Sequence, residues 1–344
     1  MTTEPMTPLF ETPATVELPR QPSLVVVSIS GGKDSIAALL KAREVFGPDR
    51  LVAQHQIILE DWNATPAYCQ AVCDALGIPL YTAQGQYHSF LCLQCGQRHL
   101  SLFIEEAYCH RCGSSQKEYL GMVEGIHDLI RFRRKWVDAN ARFCTGHFKT
   151  EVWNRWARQH SSLLGENPLL VLGERHRESR RRARLPALRY RDLRKGWVLE
   201  WRPILDYRRR DAFRALRQYG IEPHECYKLQ WRGMLRRQHQ RWREGKEPHS
   251  SYPGQWEGLA HLDALSDHLL DEMIETLMYE VDAEGGPRCS CRDCFFKTPE
   301  ELQATYQTEQ GKALLDEGIA LEQEINFTMK QGQSLESIVT NQRL

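Results

Sequence analysis

Leu24 to Ile29 is a short, β-branched apolar run, followed at once by S-G-G-K-D-S. A run of this kind predicts a strand buried on both faces, as in a parallel sheet. Ser30, Gly31 and Gly32 read as a turn, and a helix capped by Asp34 or Ser35 is predicted to run to about Phe46. R-L-V-A-Q-H-Q-I-I-L (Arg50 to Leu59) predicts a second strand, Thr65 to Leu76 a helix, and I-P-L-Y-T-A (Ile78 to Ala83) a third strand. A further apolar strand, P-L-L-V-L, precedes Gly173. This alternation predicts an α/β fold with a doubly wound, mostly parallel sheet and right-handed crossovers. Ligands then sit at the carboxyl ends of the strands. Glu60, Asp61 and Trp62 fall at such an end, where they read as exposed loop residues with base or ribose within reach.

The pattern also divides the chain. Residues 1–22 read as a loose leader, 23–225 as the α/β domain with an insertion at 88–116, 226–286 as a charged helical insertion, and 287–344 as a cysteine motif with a helical tail. The 344 residues carry no net formal charge, so no global field draws the chain to nucleic acid or membrane. No apolar run approaches the ~20 residues of a membrane helix. The leader lacks the basic and apolar regions of a secretory signal. Eleven cysteines without such a signal point to a reducing, cytoplasmic setting, where close cysteine pairs more often hold metal than form disulfides. From Arg175 to Arg243 basic residues outnumber acidic ones by roughly three to one, which would suit an anionic substrate or nucleic acid.

The chemistry of the turn is that of an anion site. Backbone N–H groups and the helix dipole favour an anion, Gly31 and Gly32 allow close approach, and Ser30 and Ser35 supply hydroxyls. Lys33 adds a point charge suited to phosphate, and Asp34 either caps the helix or helps hold a cation such as Mg²⁺. The Walker A spacing G-x-x-x-x-G-K-[ST] is absent.

Three further stretches follow in order. R-F-C-T-G-H-F-K-T contains Arg142, Cys144, Thr145 and Lys149. G-E-R-H-R-E-S-R-R-R contains Gly173, Arg175, Glu178, Ser179 and Arg182. W-R-P-I-L-D-Y-R-R-R-D-A-F contains Trp201, Pro203, Ile204, Asp206, Tyr207 and Asp211. Asp206 is placed to cap the helix containing Phe213. Glu178 can hold an arginine in its rotamer, and arginine forks suit phosphate or sulfate. With S-G-G-K-D-S, H-E-C-Y (His224 to Tyr227) and the C-terminal R-C-S-C-R-D-C-F-F, this set resembles the phosphoadenosine phosphosulfate (PAPS) reductase family of the PP-loop ATP pyrophosphatase superfamily. The resemblance covers about Leu24 to Ile338, with two insertions. It implies a loop at Ser30–Ser35 that grips the pyrophosphate of ATP with Mg²⁺, or of an adenine sulfonucleotide. Lys33, Asp34 and Arg175 would be catalytic. Arg142, Lys149, Gly173, Glu178, Ser179 and Arg182 would help bind the nucleotide.

Two cysteine groups stand out. Cys92, Cys95, Cys109 and Cys112 form C-x-x-C twice across a hairpin-length spacer, the pattern of a structural zinc ribbon, with Gly96 and Gly113 where tight knuckles would need them. A redox dithiol is the alternative. Cys289, Cys291 and Cys294 need a fourth ligand, for which Cys144 and Cys226 are candidates. An iron–sulfur cluster (4Fe–4S), zinc, a sulfur-carrying thiol and plain packing all remain open for them. Cys69 and Cys73 read as buried thiols.

Three functions are compatible with this reading. The first is an ATP-using transferase that releases pyrophosphate to activate an acceptor, as in sulfate adenylyltransferase subunits or DNA phosphorothioation proteins, with a nucleic acid or a sulfur-donor protein as partner. The second is a sulfonucleotide reductase, although the cysteine-bearing E-C-G-I-H tail of true reductases is missing. The third is a nucleotide-sensing or nucleic-acid-binding accessory protein. The acceptor and the oligomeric state are not legible.

Overall fold

The computed structural model describes residues 17–192, 197–246, 263–281 and 286–340. Most of the expected leader and part of the helical insertion lie outside these ranges. The chain begins with β1 (Val25–Ile29), α1 (Lys33–Phe46), β2 (Leu51–Ile57), α2 (Thr65–Leu76) and β3 (Leu80–Gln84), within a residue or two of the elements the apolar pattern predicts. An excursion follows: β4 (Tyr87–Cys92), β5 (Arg98–Ser101) and β6 (Lys117–Val123) form a separate antiparallel sheet, ordered β5-β4-β6. Next come α3 (Ile126–Arg133), α4 (Phe143–Thr145), α5 (Glu151–Gln159) and α6 (Ser161–Leu164). β7 (Leu169–Leu172), β8 (Leu188–Asp192) and β9 (Trp197–Trp201) return to the first sheet.

The main sheet has the order β3-β2-β1-β7-β9-β8 and is parallel except for the edge strand β8, which pairs antiparallel with β9. β1 is buried on both faces. Val25, Val27 and Ile29 face a core with α1 and α2, while Val26 packs with Trp153 and Trp156 of α5 on the other side. Burying a strand on both faces removes any polar-out alternation, which is why its sequence is a run rather than an alternation. The chain extends through β1 and β2 to β3 on one side, then crosses to β7 and β9 on the other. The reversal therefore lies between β1 and β7, and that crevice is where ligands of open α/β sheets bind.

The rest of the chain is helical: α7 (Arg209–Gln218), α8 (Cys226–Arg243), α9 (Asp267–Tyr279), α10 (Pro299–Tyr306), α11 (Glu309–Ile325) and α12 (Leu335–Thr340). α7 completes the α1 side of the sheet through Ala212, Ala215 and Leu216. α8 and α9 share a core with Phe213, Trp62 and Ala304. α10 to α12 close a further core with α3, Tyr87, Phe148 and Cys291. No helix among the described residues is long and apolar enough to cross a membrane.

Candidate functional site

S-G-G-K-D-S joins β1 to α1 at the carboxyl edge, and G-E-R-H-R-E-S leaves β7 beside it, so the two motifs flank the crevice between those strands. Gly173 is the hinge of this arrangement. A Cβ there would lie 2.5 Å from the Asp34 carbonyl oxygen and 2.7 Å from Ser35 Cα, both backbone atoms that cannot swing aside. Gly173→Ala is therefore expected to cost about 3 kcal/mol by overpacking, read as a lower urea midpoint at unchanged slope.

The loop is held largely by its own chain. Ser35 Oγ donates to the Gly32 carbonyl (2.8 Å) and accepts from Ser30 N–H (3.1 Å). The Lys33 N–H donates to the Tyr227 hydroxyl at 3.0 Å. Gly31, at φ 70°, supplies the left-handed turn. Ser30 is exposed, whereas Gly31, Gly32 and Lys33 are buried. Neither Asp34 nor Ser35 caps α1: the helix starts at Lys33, so Gly32 occupies the N-cap position and both residues lie inside the first turn.

Asp34 lies between two cations. Lys33 Nζ donates to its Oδ2 at 2.6 Å, and Arg175 Nε lies 2.7 Å from Oδ1 as a close ion pair rather than an aligned hydrogen bond. Burial works against the Asp34 carboxylate, but Lys33 and then Arg175 outweigh it and hold its pKa below the usual range. Burial also brings the Lys33 ammonium down to about 8, against the pull of Asp34, with Arg175 and Arg209 adding to the fall. The lysine's charge thus points inward, to Asp34 and over the Phe213 ring, rather than to the exposed end of the loop at Ser30.

The other predicted residues divide. Glu178 does hold an arginine: its Oε2 accepts from Arg182 Nη1 at 2.5 Å and from the Arg175 N–H at 3.0 Å. Ser179 Oγ accepts from the Arg182 N–H (3.2 Å), and Arg182 also pairs with Glu174. Arg175 of that motif reaches the loop, at Asp34. Asp206 does not cap α7; it faces His176 at 3.1 Å, while Asp211 Oδ2 accepts the N-cap N–H of Arg208 at 2.8 Å. The cap position, Arg208, falls two residues later than the motif suggests, because P-I-L-D forms a turn before α7 begins. Glu60 and Trp62 are buried rather than exposed: Glu60 Oε1 accepts the His127 N–H at 2.9 Å, and Trp62 belongs to the α8–α9 core.

The C-terminal cysteines lie across the same edge. Arg292 N–H donates to the Glu60 carbonyl (2.9 Å), Arg292 Nη2 reaches the Leu59 carbonyl (3.2 Å), and Asp293 pairs with His127 of α3 at 2.5 Å. This pins residues 291–294 beyond the end of β2. The three thiols expected to share one cluster are divided between two neighbourhoods. Cys289 stands against the loop, its Sγ 4.0 Å from the Ser30 carbonyl oxygen, and meets Cys226 and His224. Cys291 and Cys294 lie instead with Cys144 around Lys149. Lys149 reaches solvent. Surrounding protein disfavours its charge, but Cys291, Asp61, Cys294 and Cys144 outweigh that and raise its pKa. It sits on a single π-helical turn, Gly146–Thr150, and Arg142 stacks 4.4 Å over Phe296. Both proposed fourth ligands are therefore near a cysteine of the motif, but near different ones.

In the inserted sheet, Cys92 and Cys112 approach to 3.6 Å and Cys95 and Cys109 to 3.5 Å, all four sulfurs lying within 4.8 Å of one another. A tetrahedral ion with Zn–S near 2.3 Å needs sulfur separations of about 3.8 Å, so the donor set fits. Gly96 and Gly113 have φ of 70° and 75°, and their N–H groups donate to the Cys92 and Cys109 carbonyls. Burial alone would raise the Cys109 thiol, but N–H groups of Cys112 and Arg111 and the neighbouring thiols bring it down to about 5.

Sequence reasoning assigned His224, Tyr227, Arg209 and Thr65 no site role of their own, although the first three fall in stretches that carry the resemblance. The H-E-C-Y stretch was the available signal, since it places a histidine and a cysteine two residues apart at a helix start. The basic stretch is not a bare cationic surface: α9 and its flank supply Glu280 to Arg214, Glu275 to Arg217, Asp271 to Arg232 and Asp267 to Arg236.

No family model matches the sequence, and no curated protein matches it. Among solved structures, it is similar to PAPS reductase from Candida auris in a phosphate complex, at 11% identity and TM-score 0.38 over 63% of this chain and 80% of that one. It is also similar to Candida glabrata FMN adenylyltransferase with FMN and AMPCPP, at 12% identity and TM-score 0.37 over 76% and 77% of the two chains. Likenesses this distant say nothing of substrate or reaction.

Proposed function

We propose that this chain is a PP-loop enzyme that binds ATP, with Mg²⁺ as part of the substrate, at Ser30–Ser35. It would cleave ATP to AMP and pyrophosphate and so activate an acceptor for sulfur transfer or related nucleotidyl chemistry. The observation that supports this most is the convergence at the sheet's reversal point: the loop after β1, Arg175 after β7, and the buried cations Lys33 and Arg209 surround one carboxylate. A nucleophile attacks the α phosphorus, the bond to the bridging oxygen breaks, and pyrophosphate leaves with the electron pair. Loop N–H groups, Lys33 and Arg175 would stabilise that charge by preorganisation. The nucleophile would be an oxygen of the acceptor, and a sulfur nucleophile, which the thiols near Ser30 and Lys149 would suit, would then displace AMP. Cys92, Cys95, Cys109 and Cys112 would hold a structural zinc.

Purified chain with Mg²⁺-ATP is expected to release pyrophosphate, and Lys33→Ala to lower the rate by about 10²–10³. Absence of ATP binding by calorimetry would overturn the reading, and thioredoxin-dependent sulfite release from PAPS would replace it with reduction. The pH dependence has a definite sign. Phosphate favours the charged lysine, so ATP affinity should hold below pH 8 and weaken as pH rises through about 8, where the free protein's Lys33 loses its proton. The limit is about tenfold per pH unit for one proton. Lys33→Arg, charged throughout, should flatten that profile.

A further inference from the structure

We infer that His224, Cys226 and Cys289 form a mononuclear site for a thiophilic divalent cation, zinc above all, set against the loop between β1 and α1. The three donor atoms lie within 4.8 Å of one another, although Cys289 comes from a segment some sixty residues beyond the other two. His224 and Cys226 are fully buried and Cys289 half-buried. Two thiols and an imidazole are the donors that borderline-soft ions select, and three protein ligands leave one tetrahedral position for an incoming group.

The surroundings hold the histidine in the tautomer a ligand needs. Its Nδ1 accepts the Cys226 N–H at 3.1 Å and so carries the ring's lone pair, which a bound ion would take in place of that N–H. Its Nε2, at 3.3 Å from Thr65 Oγ1, then carries the proton and donates it. A ligating imidazole is typically oriented by such a bond from its other nitrogen. Tyr68 adds an edge contact, with ring centroids 5.1 Å apart. Cys289 lies beside Gly32: a Cβ added to that glycine would meet the Cys289 Cβ at 3.6 Å, an ordinary van der Waals contact. Of the three donors, Cys289 Sγ is the one that faces the loop, 4.0 Å from the carbonyl oxygen of exposed Ser30. A four-iron cluster at this place would need Cys291 and Cys294, which lie with Cys144 and Lys149 instead.

The site goes beyond the nucleotide reading, and its test does not use ATP. The full chain, purified under reducing conditions, is expected to carry two equivalents of zinc by elemental analysis. Cys289→Ser and His224→Gln should each lower this to one. The pair Cys92→Ser and Cys95→Ser should also leave one, lost from the inserted sheet. Cobalt(II) added to that double variant should give thiolate-to-metal charge transfer at the intensity of two thiolates, and Cys289→Ser placed in the same chain should diminish it. This titration keeps the question open to refutation if His224→Gln fails to fold. One zinc in the native chain and no cobalt band in the double variant would overturn the site. So would iron with acid-labile sulfide lost on Cys289→Ser, or recovery of Cys226 and Cys289 as a disulfide.

Discussion

Asp34→Ala is expected to destabilise the chain by about 3–5 kcal/mol, the cost of taking one partner from a buried ion cluster. Lys33 and Arg175 are 5% and 3% exposed, and this carboxylate lies between them at 2.6 and 2.7 Å. Its removal leaves two cations facing each other at low dielectric. The urea midpoint should fall accordingly. Asp34→Asn, which keeps an acceptor but not the charge, should fall less. A second readout separates charge from packing: Asp34 raises the Lys33 pKa, so in Asp34→Asn the lysine should titrate below the value of about 8 it has in the native chain. The upper edge of the ATP-affinity profile should move down with it. An unchanged midpoint and profile would show that the cluster holds neither the loop nor the lysine's charge.

Removing the zinc proposed for the inserted sheet should have the other large effect. β4, β5 and β6 enclose little apolar volume: Phe90, Cys92 and Cys109 are buried, whereas Leu93, Phe103, Tyr108 and Tyr119 are more than half exposed. A sheet this thin does not offset its chain entropy without a staple. Structural zinc binding of about 10–16 kcal/mol is then folding free energy for the module. Cys109→Ser is expected to lose one zinc and to open residues 93–116 to proteolysis. The main sheet should keep its amide protection, because its cores draw on none of the four cysteines. Zinc retained at the native level, or protease resistance without it, would remove the ribbon's metal from the account.

Both predictions rest on residues whose meaning was readable to different depths. The strands β1 and β7 were legible because burial on both faces demands short apolar runs, a property of the chain itself; β2 and the half-buried β3 were read from apolar residues on either side of α2. Gly96 and Gly113 were legible for a similar reason, since a knuckle after C-x-x-C needs positive φ and only glycine adopts it cheaply. The loop's position was readable too, as a glycine turn between such a strand and a helix. Its internal wiring was not. That Asp34 would bind Lys33 and Arg175 instead of capping α1 depends on how closely β7 approaches, which Gly173 permits and no local pattern reports. The arginines of α7 and α8 looked like a basic surface until α9 placed carboxylates against them.

The cysteines mark the boundary most clearly. Short spacing brings two thiols within reach of one ion whatever the rest of the chain does, so C-x-x-C twice was enough to pick out the four sulfurs that meet in the inserted sheet. R-C-S-C-R-D-C carries no such instruction. Its backbone bends at residues 289–290 and turns at 292–293, Arg292 and Asp293 anchor it to the end of β2 and to α3, and Cys289 is sent to one neighbourhood while Cys291 and Cys294 go to another. Local composition prescribes elements, turns and close ligand pairs because those depend on dihedral preference and burial along a few residues. Which distant side chains share a charge or an ion depends on packing between elements, and there the folded chain alone assigns the partners.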